Sequence, residues 1–310
     1  MTVFNAMFIH DQVKALACPP RRVLELFAGI GGLAAAWPEA SIATAIDIDC
    51  NAQRVYQQNF SHPFRVAEIE SLTSADLLDC AADCWWMSPP CQPFTRRGLA
   101  RDLADRRCRA LVRLVALLAE CRPAEVALEN VVGFDGSQAH RLLLEQLGRL
   151  GYHCRSRRLC PTEMGWPNRR PRYYLLASLT SLPEWRPLPN LACRLDKLID
   201  DRLIAGHPQT ARYAVAEPLV QRYLHALDRV DSGSASTACF ASSYGKSTVR
   251  AGSYLQCGSG YRRFAPREVA RLLGYTDAFR FDGLTDRTAW KLLGNSLSLP
   301  SVRYVLGHLG

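Results

Sequence analysis

Cys91 stands in SPPCQPFT (88–95), between Pro89-Pro90 and Pro93, directly after the apolar run DCWWM. Prolines fix φ and restrict the residue before them, so this setting would hold a thiol in one place. Such a thiol can be a packed side chain, a metal ligand or a nucleophile. A nucleophile needs cationic surroundings that favour the thiolate. The next segment, TRRGLARDLADRRCRALVR, brings seven arginines between Arg96 and Arg113, against Asp102 and Asp105. A metal site is poorly supported: none of the twelve cysteines has CxxC spacing, and the seven histidines form no HxxxH or HExxH.

Three further groups could do chemistry. In FAGIGG (27–32), Gly29, Gly31 and Gly32 allow a tight turn and close approach to a ligand. Asp47 ends the next apolar run and could accept hydrogen bonds from ribose hydroxyls. The glycines do not form GxGxxG ahead of a long helix, so a nucleoside cofactor other than NAD fits better. In LENV, Glu129 ends another buried run, where a charge needs a partner. In NRRPRYYLLA, Arg170 and Arg172 alternate, which suits gripping a phosphate or a base carbonyl on one face, or a solvated strand entry.

The elements that position these groups alternate. RRVLELFAG (21–29), SIATAID (41–47), DCWWMS (83–88), EVALENV (125–131) and RYYLLASL (172–179) read as strands. LAAAW, CNAQRVYQQNF, RALVRLVALLAEC (109–121) and HRLLLEQLGRL (140–150) read as helices. Strand and helix in turn predict an α/β fold, a mostly parallel sheet with helices on both faces. Ligands of such sheets bind at the strands' carboxyl ends, where Cys91 and Glu129 fall. The proline-rich SLPEWRPLPN (181–190) breaks the pattern as a linker would. A loop-rich stretch follows, and from about 260 two helix patterns, PREVARLLGY and TDRTAWKLLGNSLSLPSVRYVLGHL, could return to complete the first domain.

Composition sets the outer bounds. Hydrophobic residues make up 48%, enough for a real core, and the net charge of +9 suits a polyanionic partner. No apolar run reaches about 18 residues, so no membrane span is expected. The first twenty residues lack a basic stretch followed by an apolar core, so no secretory leader is expected there. The cysteines are expected to be reduced thiols of a cytoplasmic or nuclear protein, most of them small core residues.

FAGIGG, a strand-end acid, PPCQPFT, ENV, RxR and a late LLGNS, in this order, resemble the cytosine-5 methyltransferases. The resemblance runs from about 21 to 307. It implies a class I, Rossmann-like S-adenosylmethionine-dependent domain over 1–180 and 260–310, with a small target-recognition domain over 181–259. It implies that Phe27, Gly29 and Gly31 line the S-adenosylmethionine site. Asp47 would take the ribose, Ile48 would lie against the adenine, Glu68 and Ile69 would flank it, and Asn295 and Ser296 would close the pocket. The product would be S-adenosylhomocysteine. Cys91 would attack carbon 6 of cytosine, and Glu129 would hold and protonate ring nitrogen 3. Arg170 and Arg172 would support the base and the active-site loop.

Within the family, SPPCQPFTRRG, CPTEMGWPNRRPRYYLLA, TACFASSYGKSTVRAGSYLQ and RRFAPREVARLLGY are most similar to the tRNA aspartate methyltransferases. These modify cytosine 38 of an anticodon loop, where bases are already unstacked. That group has Cys-Phe-Thr where this chain has Cys239-Phe240-Ala241. A tRNA is therefore the expected substrate, and a monomer is compatible with the sequence. A DNA cytosine-5 methyltransferase and a non-catalytic RNA-binding protein are the other readings.

Overall fold

A computed structural model describes residues 21–95, 101–203 and 207–309. They divide into two compact units: residues 21–159, 171–187 and 301–309 in one, and 160–170 with 188–300 in the other.

The first unit is built on seven strands: β1 (Arg22–Leu26), β2 (Ser41–Asp47), β3 (Phe64–Val66), β4 (Cys84–Met87), β5 (Glu125–Val131), β6 (His153–Leu159) and β7 (Arg172–Ser178). Their order is β3-β2-β1-β4-β5-β7-β6. All neighbouring pairs from β3 through β5 are parallel, and β7 runs antiparallel to both β5 and β6. The chain runs outward from β1 to β3 and then returns to β4 on the other side of β1. The carboxyl ends of β1 and β4 thus form the point where strand order reverses.

All four residues of β4 and the first six of β5 are buried, as expected for strands covered on both faces. Short helices α1 (Gly32–Ala36), α2 (Cys50–Asn59) and α3 (Ser74–Leu78) follow the first strands, and α4 (Arg109–Cys121) and α5 (Gln138–Arg149) flank β5. The apolar stripe of α4, Leu111, Leu114, Val115, Leu117 and Leu118, meets Leu143 and Leu147 of α5 and Trp85, Met87, Val126 and Leu128 of the sheet in one buried core.

These elements agree with the periodicity. The sequence reading did not separate β3 and β6 from their surroundings. β3 has only three residues, and β6, HCRSRRL, carries three arginines on an edge strand with little apolar alternation.

The second unit holds helices α6 (Glu217–Tyr223), α7 (Pro266–Leu273) and α8 (Asp286–Gly294). It also holds a three-stranded sheet of β8 (Asp228–Val230), β9 (Ser253–Cys257) and β10 (Gly260–Arg263), in the order β10-β9-β8. Residues 260–300 pack in this unit together with 188–259. A bidentate pair between Arg262 and Glu268 fixes it, with N–O distances of 2.7 and 2.8 Å and 1% or less exposure on either side chain. Glu268 also accepts from the backbone N–H groups of Ala265 and Asp200, so the buried charges are fully hydrogen-bonded. No helix among the described residues is long and apolar enough to cross a membrane.

Candidate active site

Two loops meet where the strand order reverses. After β1 the chain makes the turn Phe27-Ala28-Gly29-Ile30-Gly31, in which Phe27, Gly29 and Gly31 have φ of 59°, 53° and 83°. A phenylalanine in the left-handed region costs about 1–3 kcal/mol and persists only where the surroundings impose it. A Cβ on Gly31 would lie 2.4 Å from the Phe60 ring, whereas one on Gly29 would meet nothing within 4 Å. Gly29 therefore faces open space in which a ligand can approach the backbone.

Asp47 at the end of β2 braces this turn. Its Oδ2 accepts from the Gly29 N–H at 2.8 Å and its Oδ1 from the Asp49 N–H at 2.9 Å. Burial nevertheless raises its pKa above the ordinary aspartate value, against those backbone donors. Each carboxylate oxygen keeps a further lone pair for a hydroxyl donor. The next residue, Ile48, is 60% exposed, a large apolar side chain left uncovered beside the turn. Glu68, also exposed, precedes the buried Ile69 after β3. Open space at Gly29, free acceptor capacity on Asp47 and an uncovered Ile48 fit a nucleoside.

Beneath the turn lies Glu25, 1% exposed, accepting from the Tyr56 hydroxyl at 3.0 Å. Burial raises its pKa to about 8, opposed by Tyr56 and by the backbone N–H groups of Leu33 and Ala34.

The second loop follows β4. Cys91 is half-buried and begins a short 3-10 turn, Gln92–Phe94, in which the Phe94 N–H returns to the Cys91 carbonyl at 3.0 Å. The prolines are only part of what fixes it. Asn130, 1% exposed, donates from Nδ2 to the Pro89 carbonyl at 3.1 Å, and its Oδ1 accepts from the Val131 N–H at 2.8 Å. Gly133 approaches the Phe94 carbonyl so closely that a Cβ there would lie 2.3 Å from the oxygen. Ser88 donates to the Phe27 carbonyl at 3.1 Å, joining the two loops. Gln92, the residue after Cys91, carries a buried Oε1 with no hydrogen-bond partner.

Glu129 follows Leu128, which pairs with Met87 across β4 and β5, so carboxylate and thiol loop leave adjacent strand ends. Arg172, which opens β7, pairs with Glu129 at 3.0 Å, and both side chains are nearly buried. The arginine-rich segment is held in place by its acids. Asp102 accepts from the N–H groups of Gln138 and Ala139 at the start of α5, and Asp105 binds Arg107 at 2.9 and 2.6 Å. The bond to Asp105 raises the Arg107 pKa against the opposing effect of burial, with a smaller contribution from Cys91. Arg113 instead donates to the Leu72 carbonyl, and Arg96 and Arg97 lie outside the described residues.

The other sequence-predicted residues lie in the second unit. Arg170 is 2% exposed and donates to Cys239 Sγ and to the carbonyls of Phe240, Gly294 and Ser296. It ties the 239–240 strand of chain to the LLGNS segment. With both terminal nitrogens committed, it has no bidentate face for a phosphate, unlike the expectation from its alternation with Arg172. Asn295 is exposed at the end of α8, and the Ser296 hydroxyl shares a 2.6 Å hydrogen bond with Tyr275. Ala241 lies against the same junction: a Cβ on Gly294 would meet its carbonyl carbon at 2.4 Å. The locks supplied by Asn130, Gly133 and Asp102 escaped the sequence reading; the asparagine next to a strand-end glutamate was the available signal.

Comparison with known proteins places this geometry. The tRNA (cytosine(38)-C(5))-methyltransferase of Schizosaccharomyces pombe is 32% identical over 93% of this chain and 96% of its own length. The enzyme of that name from Rattus norvegicus is 28% identical over 93% and 98%. The crystal structure of the S. pombe Dnmt2 methyltransferase superposes with a TM-score of 0.82 at 29% identity, covering 93% of this chain and 98% of that one. A model of the C-5 cytosine-specific DNA methylases matches residues 21–202 and 207–310. Matched over nearly all of its length by that model, the chain belongs to the C-5 cytosine-specific DNA methylase family.

Proposed function

We propose that this chain methylates carbon 5 of cytosine in tRNA, at cytosine 38 of the anticodon loop of tRNA-Asp or a related tRNA. The observation that carries the chemistry is the Cys91 turn and the Glu129–Arg172 pair at the adjacent carboxyl ends of β4 and β5. The tRNA substrate is supported by the relatives, named for cytosine 38 of tRNA, that match nearly the full chain.

S-adenosylmethionine supplies an electrophilic methyl group on its sulfonium and is left as S-adenosylhomocysteine. Gly29 would bring backbone up to it in the turn that Phe27 and Gly31 shape, Asp47 would accept from its ribose, Ile48 would lie against its adenine, and Glu68 and Ile69 would flank that ring. Carbon 5 of cytosine is too weak a nucleophile to take a methyl group unaided. The Cys91 thiolate adds to carbon 6, forming a C–S bond and pushing electrons toward carbon 5. Glu129, held by Arg172, grips ring nitrogen 3 and passes it a proton, which draws off the charge the ring gains. Once carbon 5 carries the methyl group, a base removes its proton, the C–S bond breaks, ring nitrogen 3 returns its proton to Glu129 and the thiolate is restored. Arg170 acts at a distance, by holding the LLGNS segment. Residues 181–259 would form the target-recognition part, and a tRNA substrate suits a monomer in the cytoplasm.

The family model's own description favours DNA as the second reading. Incubation with labelled S-adenosylmethionine and, separately, total tRNA and unmethylated DNA decides between them. Label in tRNA is expected; label in DNA alone overturns the tRNA reading. Label in neither supports the non-catalytic one.

A further inference from the structure

His140 lies on α5, away from every residue assigned to the chemistry, yet its ring is buried and both nitrogens are engaged. Nδ1 lies 3.0 Å from the Gly136 N–H and Nε2 lies 2.7 Å from the Tyr173 hydroxyl. A backbone N–H can only donate, so Nδ1 accepts and is unprotonated. The ring is then neutral, with its proton on Nε2 and donated to Tyr173.

Two arms lead from this ring to the two reacting groups. Along the first, His140 packs edge-on against Phe134 at 5.4 Å, and Phe134 packs edge-on against Phe94 at 5.0 Å. Phe94 closes the turn that Cys91 begins. Along the second, His140 meets the Tyr173 ring at 5.0 Å, and Tyr173 anchors the β7 backbone beside Arg172, whose side chain leaves the opposite face of the strand to reach Glu129.

We propose that His140 is a positioning residue for methyl transfer, whose neutral ring holds the Cys91 turn through Phe134 and, through Tyr173, the β7 backbone from which Arg172 reaches Glu129. The proposal rests on the roles given above to Cys91 and Glu129. A protonated ring would turn a second N–H toward the Gly136 N–H and lose that bond. Asp135, whose Oδ1 lies 3.8 Å from Nδ1, would become its acceptor, in competition with Arg158 of β6, which Asp135 binds at 2.8 Å. The other charges facing this end of α5 are Arg141, bonded to the Gly136 carbonyl, and Asp102, capping the helix. Burial lowers the His140 pKa from 6.5, Asp135 opposes and Arg141 adds to the shift. The neutral ring's contribution is therefore complete above 6.5 and is lost as pH falls through the lowered folded value.

The test compares wild type with His140→Phe, which keeps an aromatic ring, and Tyr173→Phe, which removes only the hydroxyl. Three quantities are read between about pH 5.5 and 8.5: single-turnover methyl transfer to tRNA, S-adenosylhomocysteine affinity, and iodoacetamide labelling of the Cys91 peptide by mass spectrometry. Both variants should transfer methyl about tenfold more slowly or worse, while cofactor affinity changes less than about threefold. The wild-type fall below 6.5 should be flattened in His140→Phe. Wild-type transfer in both variants, or a loss that follows cofactor affinity, overturns the proposal. If His140→Phe does not fold, Tyr173→Phe alone decides. If wild type methylates no nucleic acid, the functional reading fails and the labelling remains. Cys91 labelling that is identical in all proteins at every pH then refutes the positioning role.

Discussion

Asn130 shows how little slack the Cys91 turn has. Its amide reaches the Pro89 carbonyl from a position that is 1% exposed, where no solvent can replace a lost donor. Asn130→Ala should therefore cost about 1–3 kcal/mol in urea unfolding and slow transfer as well. Cys91→Ala should abolish transfer while S-adenosylhomocysteine still binds, whereas Cys80→Ala and Cys84→Ala should retain transfer. Cys84 is fully buried and burial pushes its pKa well up, as suits a packed thiol. The reacting residues were legible because each is an unusual type at a strand's end: a cysteine among prolines, a glutamate after three buried apolar positions. The division of labour between Arg170 and Arg172 was not. Alternation gives both the same face, but the carbonyls that enclose Arg170 belong to residues 70 to 126 positions further along the chain. Local pattern carries no trace of such partners.

Elements bring the two loops together, and a strand-end loop can be tested through the backbone that supports it. Gly133→Ala places a methyl group against the Phe94 carbonyl, which cannot rotate away, so the Cys91 turn must shift. We expect transfer to fall by about 10²-fold with cofactor affinity nearly intact, by single-turnover assay and calorimetry. The glycine turn after β1 rests on Glu25, whose raised pKa has a pH signature. A carboxyl that keeps its proton to about 8 contributes stability that is present below 4.5 and lost as pH rises through 8. Wild type should lose Tm between pH 6 and 9 relative to Glu25→Gln, which cannot titrate there; parallel curves would contradict this. The parallel core was readable because β1, β4 and β5 are apolar runs with α4 and α5 at helical spacing between and after them. The small sheet of β8, β9 and β10 was not, since three- to five-residue strands set among serine and glycine leave too short a period to detect.

At the scale of the whole chain, a net charge of +9 fits a nucleic-acid substrate but does not choose one. Binding to tRNA should weaken at least about tenfold between roughly 50 and 200 mM salt if several phosphates are engaged. A salt-independent affinity, measured by filter binding, would remove the electrostatic part of the account. The chemical claim is sharper, and one trap addresses it directly. A tRNA carrying 5-fluorocytosine at position 38 can accept the thiolate and the methyl group but cannot lose a proton from carbon 5, so the C–S bond to the enzyme persists. With S-adenosylmethionine present, the account predicts a denaturation-resistant protein–RNA adduct whose only modified peptide contains Cys91, and no adduct with Cys91→Ala. An adduct on any other cysteine, or one that survives the Cys91→Ala substitution, would contradict it.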